Sequence, residues 1–383
     1  MYPALAVLQA LEHGSERLPN EDDRLLSSKQ PASQPEEVQV LWIGGHGGME
    51  VELVARAGIP FREIPAAGVH GVGLFSLPGN LWKLVRGTLA ARRLIHDFKP
   101  QVMFFTGGYL AVPVAIANRF LNLPKDRAPI LLFVPDIEPG LALKTLSRFA
   151  DHIALVVAET RAHLSLRIST TITGYPTRQK LTHWDMDAAR KVLGLSEELP
   201  VLLVSGGSKG ARSINRALLG VLPELLKEMQ VLHISGELDW SEVEAARSTL
   251  PYRLLDRYHV FPYLHDEMGA ALTLADLVVS RAGASVLGEY PLFKLPAVLV
   301  PYPHAWRYQQ VNADYLADHS AAIVIEDADL STKILPVVQN LMRDPSHQKA
   351  MSLAMGALAH PQAAGSISLL LKRLAAGHIK KGT

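Results

Sequence analysis

The fold is decided by Val201-Leu-Leu-Val-Ser-Gly-Gly-Ser-Lys-Gly-Ala-Arg-Ser-Ile-Asn215, where an apolar strand enters a glycine-rich loop and then a helix. We call residues 206–211 of this stretch the glycine loop. Glycines let the backbone approach a phosphate closely, and a helix N-terminus offers free N–H groups and positive potential. A tight turn capped by Ser208 explains the same residues, so the loop alone leaves both interpretations open. The Walker pattern is absent because Lys209 precedes the last glycine.

Short apolar runs alternate with helix-like segments on both sides of this stretch. This alternation predicts an α/β fold of two doubly wound parallel-sheet domains, with helices on both faces of each sheet. Ligands of such folds bind beyond the carboxyl ends of the strands. We expect the domains to be residues 1–175 and 176–355, and we expect the polar segment 14–37 to be a mobile surface loop. The apolar runs are 38–43, 102–105, 130–134, 153–157, 200–204, 231–234, 277–280 and 297–300.

Composition excludes several classes of protein. The chain has 383 residues, which suits two domains, and its formal net charge of +1 gives no reason to expect nucleic-acid binding. It has no cysteine, which rules out disulfides, thiolate nucleophiles and Cys-ligated zinc. The only D-x-D, Asp185-Met186-Asp187, precedes a helical segment and is better explained as a helix cap than as a metal site. We therefore expect neither a metal nor a cofactor.

Polar residues follow other strands as well. Glu289 lies on the helix after the 277–280 run, where a carboxylate can accept hydrogen bonds from a ribose diol. A favourable acid in the first helical turn is the simpler explanation of this residue by itself. Gln309 and Asn312 are three residues apart and share one helix face, where amides suit sugar hydroxyls or merely face solvent. These features gain meaning only together.

Taken together, the motifs resemble the MurG family of glycosyltransferases over nearly the whole chain. That resemblance implies the GT-B fold, with two Rossmann-like domains facing a cleft and the final segment, 356–383, returning to the first domain. The stretches that carry it are 2–7, 106–109, 139–140, 149–151, 173–178, 205–215, 262–264, 275–276 and 281–284, with Glu289, His304, Gln309 and Asn312.

The resemblance also implies a reaction and its partners. The enzyme would move GlcNAc from UDP-GlcNAc to undecaprenyl-pyrophosphoryl-MurNAc-peptide, with inversion, as a peripheral protein on the cytoplasmic face of the cell membrane. The glycine loop would hold the pyrophosphate, Leu264 would read uracil through its backbone, and Glu289 would bind the ribose. Gly107, Gly108 and Tyr109 would line the acceptor side. The residues implied in donor binding are Asp136, Arg178, Gly206, Gly207, Ser208, Leu264, Ala284, Ser285, Glu289, Gln309 and Asn312.

The chain departs from the family pattern at several positions. Phe133-Val134-Pro135-Asp136 stands where the family has His-Glu-Gln-Asn, so an aspartate replaces the asparagine that faces the donor sugar. The family opens with a strand and a Gly-Gly-Thr-Gly-Gly-His loop, whereas this chain opens with Met1-Tyr2-Pro3. We expect the strand, the loop and the family's base histidine to be encoded upstream, with Met1 an internal valine codon. No catalytic base is therefore assigned.

A mixed apolar and basic segment indicates an anionic membrane surface as a partner. A helix that packs its apolar stripe on the sheet is the alternative explanation. The residues of the segment are Leu74, Phe75, Leu77, Leu81, Trp82 and Val85, beside Lys83, Arg86, Arg92 and Arg93.

Two further functions stay open. The first is a lipid-sugar transferase with another acceptor such as a diacylglycerol, and the second is a non-catalytic UDP-sugar-binding protein.

Overall fold

The protein is described from a computed structural model, which divides the chain into two compact units. Unit 1 comprises Met1–Val134, Pro139–Pro176 and Gln362–Thr383, and unit 2 comprises Pro135–Glu138 and Thr177–Pro361. The predicted loop 14–37 lies outside the residues that the structure describes. Those residues are 1–12, 38–45, 50–65, 77–165, 167–207, 210–303 and 308–382.

Unit 1 contains two parallel sheets. The first pairs β1 with β2, and the second has the order β3-β4-β5-β6. All five residues of β4 are buried, as expected for a central parallel strand that is covered on both faces. The strands are β1 (Trp42–Gly45), β2 (Phe61–Ile64), β3 (Met103–Phe105), β4 (Ile130–Val134), β5 (His152–Leu155) and β6 (Thr170–Ile172).

Helices cover these sheets and supply the rest of the core of unit 1. Ala91 and Ile95 of α3 and Val114 of α4 pack with the buried residues of β4. The helices are α1 (Tyr2–Glu12), α2 (Glu50–Arg56), α3 (Leu77–Phe98), α4 (Ala111–Ile116), which continues as a π-helical turn over Ala117–Leu121, and α5 (Leu141–Ser147).

Unit 2 is a doubly wound fold around one six-stranded parallel sheet of order β12-β11-β10-β7-β8-β9. The chain winds from β7 outward through β8 to β9, and then from β10 outward through β11 to β12. The topological switch point therefore lies between β7 and β10, where ligands of such sheets bind. The strands are β7 (Val201–Ser205), β8 (Gln230–Ile234), β9 (Tyr258–Phe261), β10 (Leu277–Ser280), β11 (Ala297–Leu299) and β12 (Ala322–Val324).

Nine helices of the described chain belong to unit 2. Asp185 caps the first of them, because its Oδ1 accepts a hydrogen bond of 2.8 Å from the Ala188 N–H. This confirms the interpretation of the D-x-D as a helix cap. The helices are α6 (Met186–Leu193), α7 (Arg212–Leu225), α8 (Trp240–Ser248), α9 (Tyr252–Leu255), α10 (Met268–Leu274), α11 (Glu289–Phe293), α12 (Tyr308–Asp318), α13 (Leu330–Met342) and α14 (Pro345–Ala357).

The last helix, α15 (Ala363–Gly382), belongs to unit 1 and packs along α1. Across the described ranges, no helix combines the length and the apolar character that a bilayer span requires.

Both units fasten a central strand with the same aspartate clamp. In unit 1 the Asp151 carboxylate accepts the Ile130 N–H at 2.9 Å, and the Asp151 N–H donates to the Ile130 carbonyl at 2.9 Å. In unit 2 Asp276 makes the same two bonds with Val201, at 2.8 and 2.9 Å. Burial raises the pKa of Asp276. The shared device aligns β4 with β5 and β7 with β10.

The predicted α/β class with two Rossmann-like parallel-sheet units is confirmed, and β4 and β10 have the predicted bounds. The apolar run 38–43 is displaced, because β1 occupies Trp42–Gly45 instead. The sequence patterns did not predict β2, β9 or β12. β2 and β9 are short strands that polar residues interrupt, whereas β12 is a three-residue apolar strand at the edge of its sheet.

Candidate functional site

The glycine loop lies at the switch point of unit 2, between the end of β7 and the start of α7. Gly210 has a φ of +78°, and a Cβ there would overlap the carbonyl oxygen of Ser235. A Cβ on Gly206 would overlap the backbone of Ala211. Positions 206 and 210 therefore require glycine on steric grounds, and Gly210 lies next to Ala211, the N-cap of α7. Ser208 lies outside the described residues, so its contact with a phosphate stays a prediction.

A second loop leaves β10 beside the glycine loop, because Ser205 and Ser280 are register partners at the ends of their strands. Its first residue, Arg281, is only 11% exposed in its side chain. The Arg281 guanidinium donates to the Ser213 hydroxyl at 2.7 Å and to Asp327 Oδ1 at 2.6 Å. It thereby ties the start of α7 to the end of the sheet.

Arg281 also fixes the end of β11. Its Nη1 donates to the Val300 carbonyl at 3.1 Å, and the guanidinium lies 5.2 Å from the ring centroid of Tyr302. This one cation therefore contacts the first turn of α7, the segment that follows β11, and Asp327. The stretch 281–284 is one of the motifs that carry the family resemblance, but the sequence predicted no role for Arg281 itself. The available signal was an arginine placed directly after a buried apolar strand.

Glu289 is the first residue of α11, after a 3-10 turn over Ala284–Leu287. Burial of the carboxyl group raises the pKa of Glu289 to about 7, while the Arg178 charge and a hydrogen bond with Ser285 favour the ionised form. Arg178 donates to the carbonyl of His265 at 3.4 Å. The structure thus brings the Arg178 guanidinium close to the Glu289 carboxylate, which lies more than 100 residues further along the sequence and bonds with the nearby Ser285.

Leu264 follows β9, and its side chain is 5% exposed. The neighbouring rings of Tyr263 and His265 meet edge to face, with centroids 4.8 Å apart. The segment that the resemblance assigned to uracil therefore has its leucine side chain anchored in unit 2.

The two amides of α12 that were predicted to bind the sugar, Gln309 and Asn312, are engaged by protein atoms. Asn312 donates both amide hydrogens, to Asp136 Oδ1 at 2.9 Å and to the Ala282 carbonyl at 3.2 Å, and its Oδ1 accepts the Ile137 N–H at 3.2 Å. Burial raises the pKa of Asp136, and the Asn312 hydrogen bond opposes that shift. Gln309 uses its Oε1 to accept the Tyr302 N–H at 3.0 Å.

The consequence differs for the two amides. The Gln309 carbonyl oxygen is engaged, so its NH₂ group is the part suited to donate to a ligand. The Asn312 NH₂ group is used up, which leaves acceptor capacity only, on its own Oδ1 and on Asp136. Asn312 is also 0% exposed, so in this structure its polar atoms bind protein groups, and its contact with sugar hydroxyls stays a prediction.

The predicted acceptor-side residues lie in unit 1, after β3. Gly107 and Gly108 have φ values of +104° and +88°, and Tyr109 is 41% exposed. The loop therefore presents a phenol to solvent at the carboxyl end of a strand. Its role toward an acceptor stays a prediction.

Comparisons with known proteins agree with this geometry. Residues 33–155 match the glycosyltransferase family 28 N-terminal domain, and residues 201–367 match the glycosyltransferase family 28 C-terminal domain. The crystal structure of Acinetobacter baumannii MurG superposes with a TM-score of 0.70 at 24% identity, covering 97% of this chain and 95% of that one. The glycotransferase of kitacinnamycin gives a TM-score of 0.64 at 14% identity, covering 98% and 95%. These two similarities concern the fold.

Two relatives establish the family. A Roseiflexus sp. (strain RS-1) protein is 40% identical over 98% of this chain and 92% of its own length. A Desulforudis audaxviator protein is 33% identical over 98% of this chain and 95% of its own. Both are named UDP-N-acetylglucosamine–N-acetylmuramyl-(pentapeptide) pyrophosphoryl-undecaprenol N-acetylglucosamine transferase. The chain therefore belongs to glycosyltransferase family 28 and, within it, to the MurG family of N-acetylglucosamine transferases.

Proposed function

We propose that this chain transfers GlcNAc from UDP-GlcNAc to an undecaprenyl-pyrophosphoryl-MurNAc-peptide, the lipid-linked step of peptidoglycan synthesis. The observation that carries the proposal is the arrangement of three loops in unit 2. The strands before the glycine loop and before Glu289 are register partners, Arg178 lies within electrostatic reach of Glu289, and α12 bonds to the loop after β10 through Asn312 and Ala282. The names of the relatives point to the same donor and acceptor.

Each part of the donor has a chemically suited group. The N–H groups at the start of α7 suit the pyrophosphate, together with Gly206, Gly207 and Ser208 of the glycine loop. Glu289, when ionised, accepts hydrogen bonds from the ribose hydroxyls, and the backbone of Leu264 pairs with uracil. Arg178 lies within electrostatic reach of Glu289, so it favours that ionised form.

The sugar itself is recognised by groups of both kinds. The Gln309 NH₂ group donates to a hydroxyl, while Asp136, which the Asn312 NH₂ group holds in place, accepts. The backbones of Ala284 and Ser285 complete this part of the site. An aspartate at position 136 makes the site richer in acceptors than an asparagine would, so it favours a sugar whose hydroxyls donate there.

The reaction is a displacement at C1 by the 4-hydroxyl of the acceptor sugar, which inverts the α-linked phosphate to a β-glycoside. Negative charge develops on the departing UDP, and the α7 amides stabilise it without having to reorganise. A base must take the proton of the acceptor hydroxyl. Gly107, Gly108 and Tyr109 of unit 1 are proposed to contact the acceptor.

Calorimetry with UDP tests the donor site. Replacing Glu289 with Ala removes charge-assisted hydrogen bonds, each worth about 1.5–3 kcal/mol, so UDP affinity should fall at least tenfold. Glu244→Ala, at an exposed position of α8, is the matched control and should bind UDP like the wild type. Equal affinity in wild type and Glu289→Ala would exclude the ribose role.

Turnover identifies the acceptor. Transfer to the MurNAc-peptide lipid, with none to diacylglycerol, supports the proposal. Transfer to diacylglycerol alone would make the chain a lipid-sugar transferase of another kind, and UDP binding without transfer to either lipid would leave a sugar-nucleotide-binding protein.

We also propose that α3 binds an anionic membrane as a peripheral surface on the cytoplasmic face of the cell membrane. Trp82, Val85 and Leu89 are 64%, 43% and 51% exposed, and they follow one another at helical spacing. The basic side chains beside them, at positions 83, 86, 92 and 93, are exposed too. Apolar and cationic groups on one helix face suit the boundary between headgroups and acyl chains.

The alternative explanation, a stripe packed on the sheet, applies to a different face of α3. Ala91 and Ile95 are the residues buried against the core, so Trp82 and Val85 are not needed there. Leu74 and Phe75 lie outside the described residues, as do the side chains of Leu77 and Leu81.

Flotation with vesicles that contain an anionic lipid tests the surface. Trp82→Ser should weaken vesicle binding, while Tyr252→Ser, which removes an 87% exposed aromatic ring of unit 2, should leave it unchanged. Absence of wild-type binding at low salt would refute the membrane role.

A further inference from the structure

A chain of buried polar side chains lies directly behind the glycine loop. Tyr258 of β9 and His233 of β8 are 0% exposed, Asn215 of α7 is 2% exposed, and Asp239 is 4% exposed. None of these groups belongs to the proposed donor contacts. Polar groups buried so completely need a full set of partners, and each carries a cost if one partner is lost.

The hydrogen-bond directions in this chain follow from Asn215. Its NH₂ group donates to the Ser235 carbonyl and to Asp239 Oδ2, both at 2.9 Å, so its Oδ1 must be the atom that faces His233 Nε2 at 2.9 Å. His233 therefore carries its proton on Nε2, and its Nδ1 accepts from the Tyr258 hydroxyl at 2.8 Å. Burial lowers the pKa of His233 to about 3, which keeps the ring neutral.

The same chain reaches the glycine loop at two points. The Ser235 carbonyl that accepts from Asn215 is the one against which Gly210 packs. Asn215 also lies in the first turn of α7, where its N–H donates to the Ala211 carbonyl at 2.9 Å. The position of Asn215 therefore sets how the loop and the amino end of α7 sit on β8.

Asp239 would place an unfavourable charge near an anion site if it stood alone. Arg212, the first residue of α7, donates from Nε to Asp239 Oδ1 at 2.9 Å and compensates that charge. Arg212 itself is 62% exposed. The buried chain is thus closed at both ends, by a phenol in the core and by a guanidinium at the surface.

We propose that Asn215, supported by His233 and Tyr258, is a positioning residue that holds Gly210 and the first α7 amides in the position that a nucleoside pyrophosphate requires. The inference rests on the proposed function, because it concerns the pyrophosphate half of the same site. It predicts a defect confined to ligands with a pyrophosphate. A purely structural role would weaken all nucleoside ligands alike.

The test compares the affinities of the full chain for UDP and for uridine by calorimetry. Asn215→Leu keeps the branching of the side chain but removes its polar atoms. It should weaken UDP binding about tenfold, the effect of losing one or two hydrogen bonds, while uridine binding changes less than about twofold. With UDP-GlcNAc as substrate, KM should rise more than kcat falls.

Gln230→Leu is the matched control. Gln230 is 1% exposed at the opposite end of β8, where it makes three hydrogen bonds with residues 196 and 199. The variant should lower the melting temperature as Asn215→Leu does, but it should keep the wild-type ratio of UDP to uridine affinity.

Two milder variants extend the test to the other buried side chains that are hydrogen-bonded in series with Asn215. His233→Phe should reduce the UDP-to-uridine ratio less than Asn215→Leu, and Tyr258→Phe should reduce it least, because each is one bond further from the loop. If Asn215→Leu does not fold, His233→Phe decides the question by the same ratio. An unchanged ratio in every folded variant overturns the inference.

The wild-type ratio separates this inference from the proposed function. If wild type binds UDP no more tightly than uridine, the glycine loop does not bind a pyrophosphate and the proposed donor site fails. If wild type prefers UDP and the variants keep that preference, the donor site stands and only the positioning role is lost.

Discussion

Units 1 and 2 are built on the same scaffold and carry different chemistry. Each fastens a buried central strand with an aspartate clamp, Asp151 in unit 1 and Asp276 in unit 2, and each sheet is parallel. At the carboxyl ends of the strands the similarity stops. Unit 2 fills this edge with partnered charges and amides, whereas the described loop after β3 in unit 1 consists of two glycines and an exposed tyrosine.

The exposed helix faces differ in the same sense. In unit 1, α3 presents Trp82 and Leu89 to solvent among cations, which suits an extended amphipathic partner. In unit 2, the polar groups converge on one switch point, which suits a small, highly charged ligand. In both units the parallel sheet positions the loops, and the side chains at the strand ends determine what each unit binds.

The largest expected effect concerns Arg281 and its partner Asp327, which lie at the carboxyl ends of the unit 2 strands. Arg281→Ala leaves Asp327 without its cation and removes four hydrogen bonds, so we expect it to lower the free energy of unfolding of unit 2 by about 3 kcal/mol. Urea denaturation measures this. Arg343→Ala removes an exposed ion pair with Glu228 and should have little effect. If Arg281→Ala lowers the free energy of unfolding only slightly, the hydrogen bonds of Arg281 do not stabilise the strand ends of unit 2.

The shared clamp should give smaller effects that fall in different units. Asp151→Ala and Asp276→Ala each leave one strand N–H unsatisfied, at a cost of about 1–3 kcal/mol. The Asp276 variant should lose more, because the Asp151 side chain is 34% exposed and water can replace it. Hydrogen exchange should show lost protection in β4 for the first variant and in β7 for the second. Equal losses in both sheets would show that the clamps are not independent.

The smallest expected effect is a pH dependence at Glu289, which has no counterpart in the described part of unit 1. Burial raises the pKa of Glu289 to about 7, above its value in the unfolded chain. Below pH 7 the carboxyl group holds a proton, so UDP affinity should rise a few-fold between pH 6 and pH 8 as the acceptor ionises. Glu289→Gln should bind UDP with a flatter pH profile over this range.

The same shift has a consequence for stability that provides the control. Because the folded pKa lies above the unfolded one, the folded chain binds the extra proton, and the stability it gives is lost as pH rises through 7. Glu289→Gln should therefore gain stability relative to wild type at pH 8 compared with pH 5. An unchanged difference between the two melting temperatures across this range would contradict the raised pKa.

The sequence predicted the central strands better than the edges. β4 and β10 were found with their bounds because every residue of each is buried, so the apolar run is continuous. β9 and β12 are the two edge strands of their sheet and are partly exposed. His259 interrupts β9 and β12 has only three residues, so pairing with the neighbouring strands defines both.

For the candidate site, the sequence predicted which residues belong to it but not which partners they bind. The motifs identified Glu289 and Asn312 as positions, but not that both amide hydrogens of Asn312 are bound by protein atoms. Asn215 was part of a recognised motif and still gave no hint of its partners. Hydrogen bonds between residues that are far apart in sequence depend on the assembled sheet, which local patterns do not encode.

The path of the chain through the two units has a consequence for synthesis. Unit 2 is drawn mainly from one continuous stretch, 177–361, whereas unit 1 needs α15, which is translated after all of unit 2. On a ribosome, the second unit in the sequence can therefore finish folding before the first, in contrast to the usual amino-terminal order. Until α15 emerges, α1 lacks its packing partner, so a nascent chain stalled before residue 363 should present an incomplete unit 1 to chaperones and proteases.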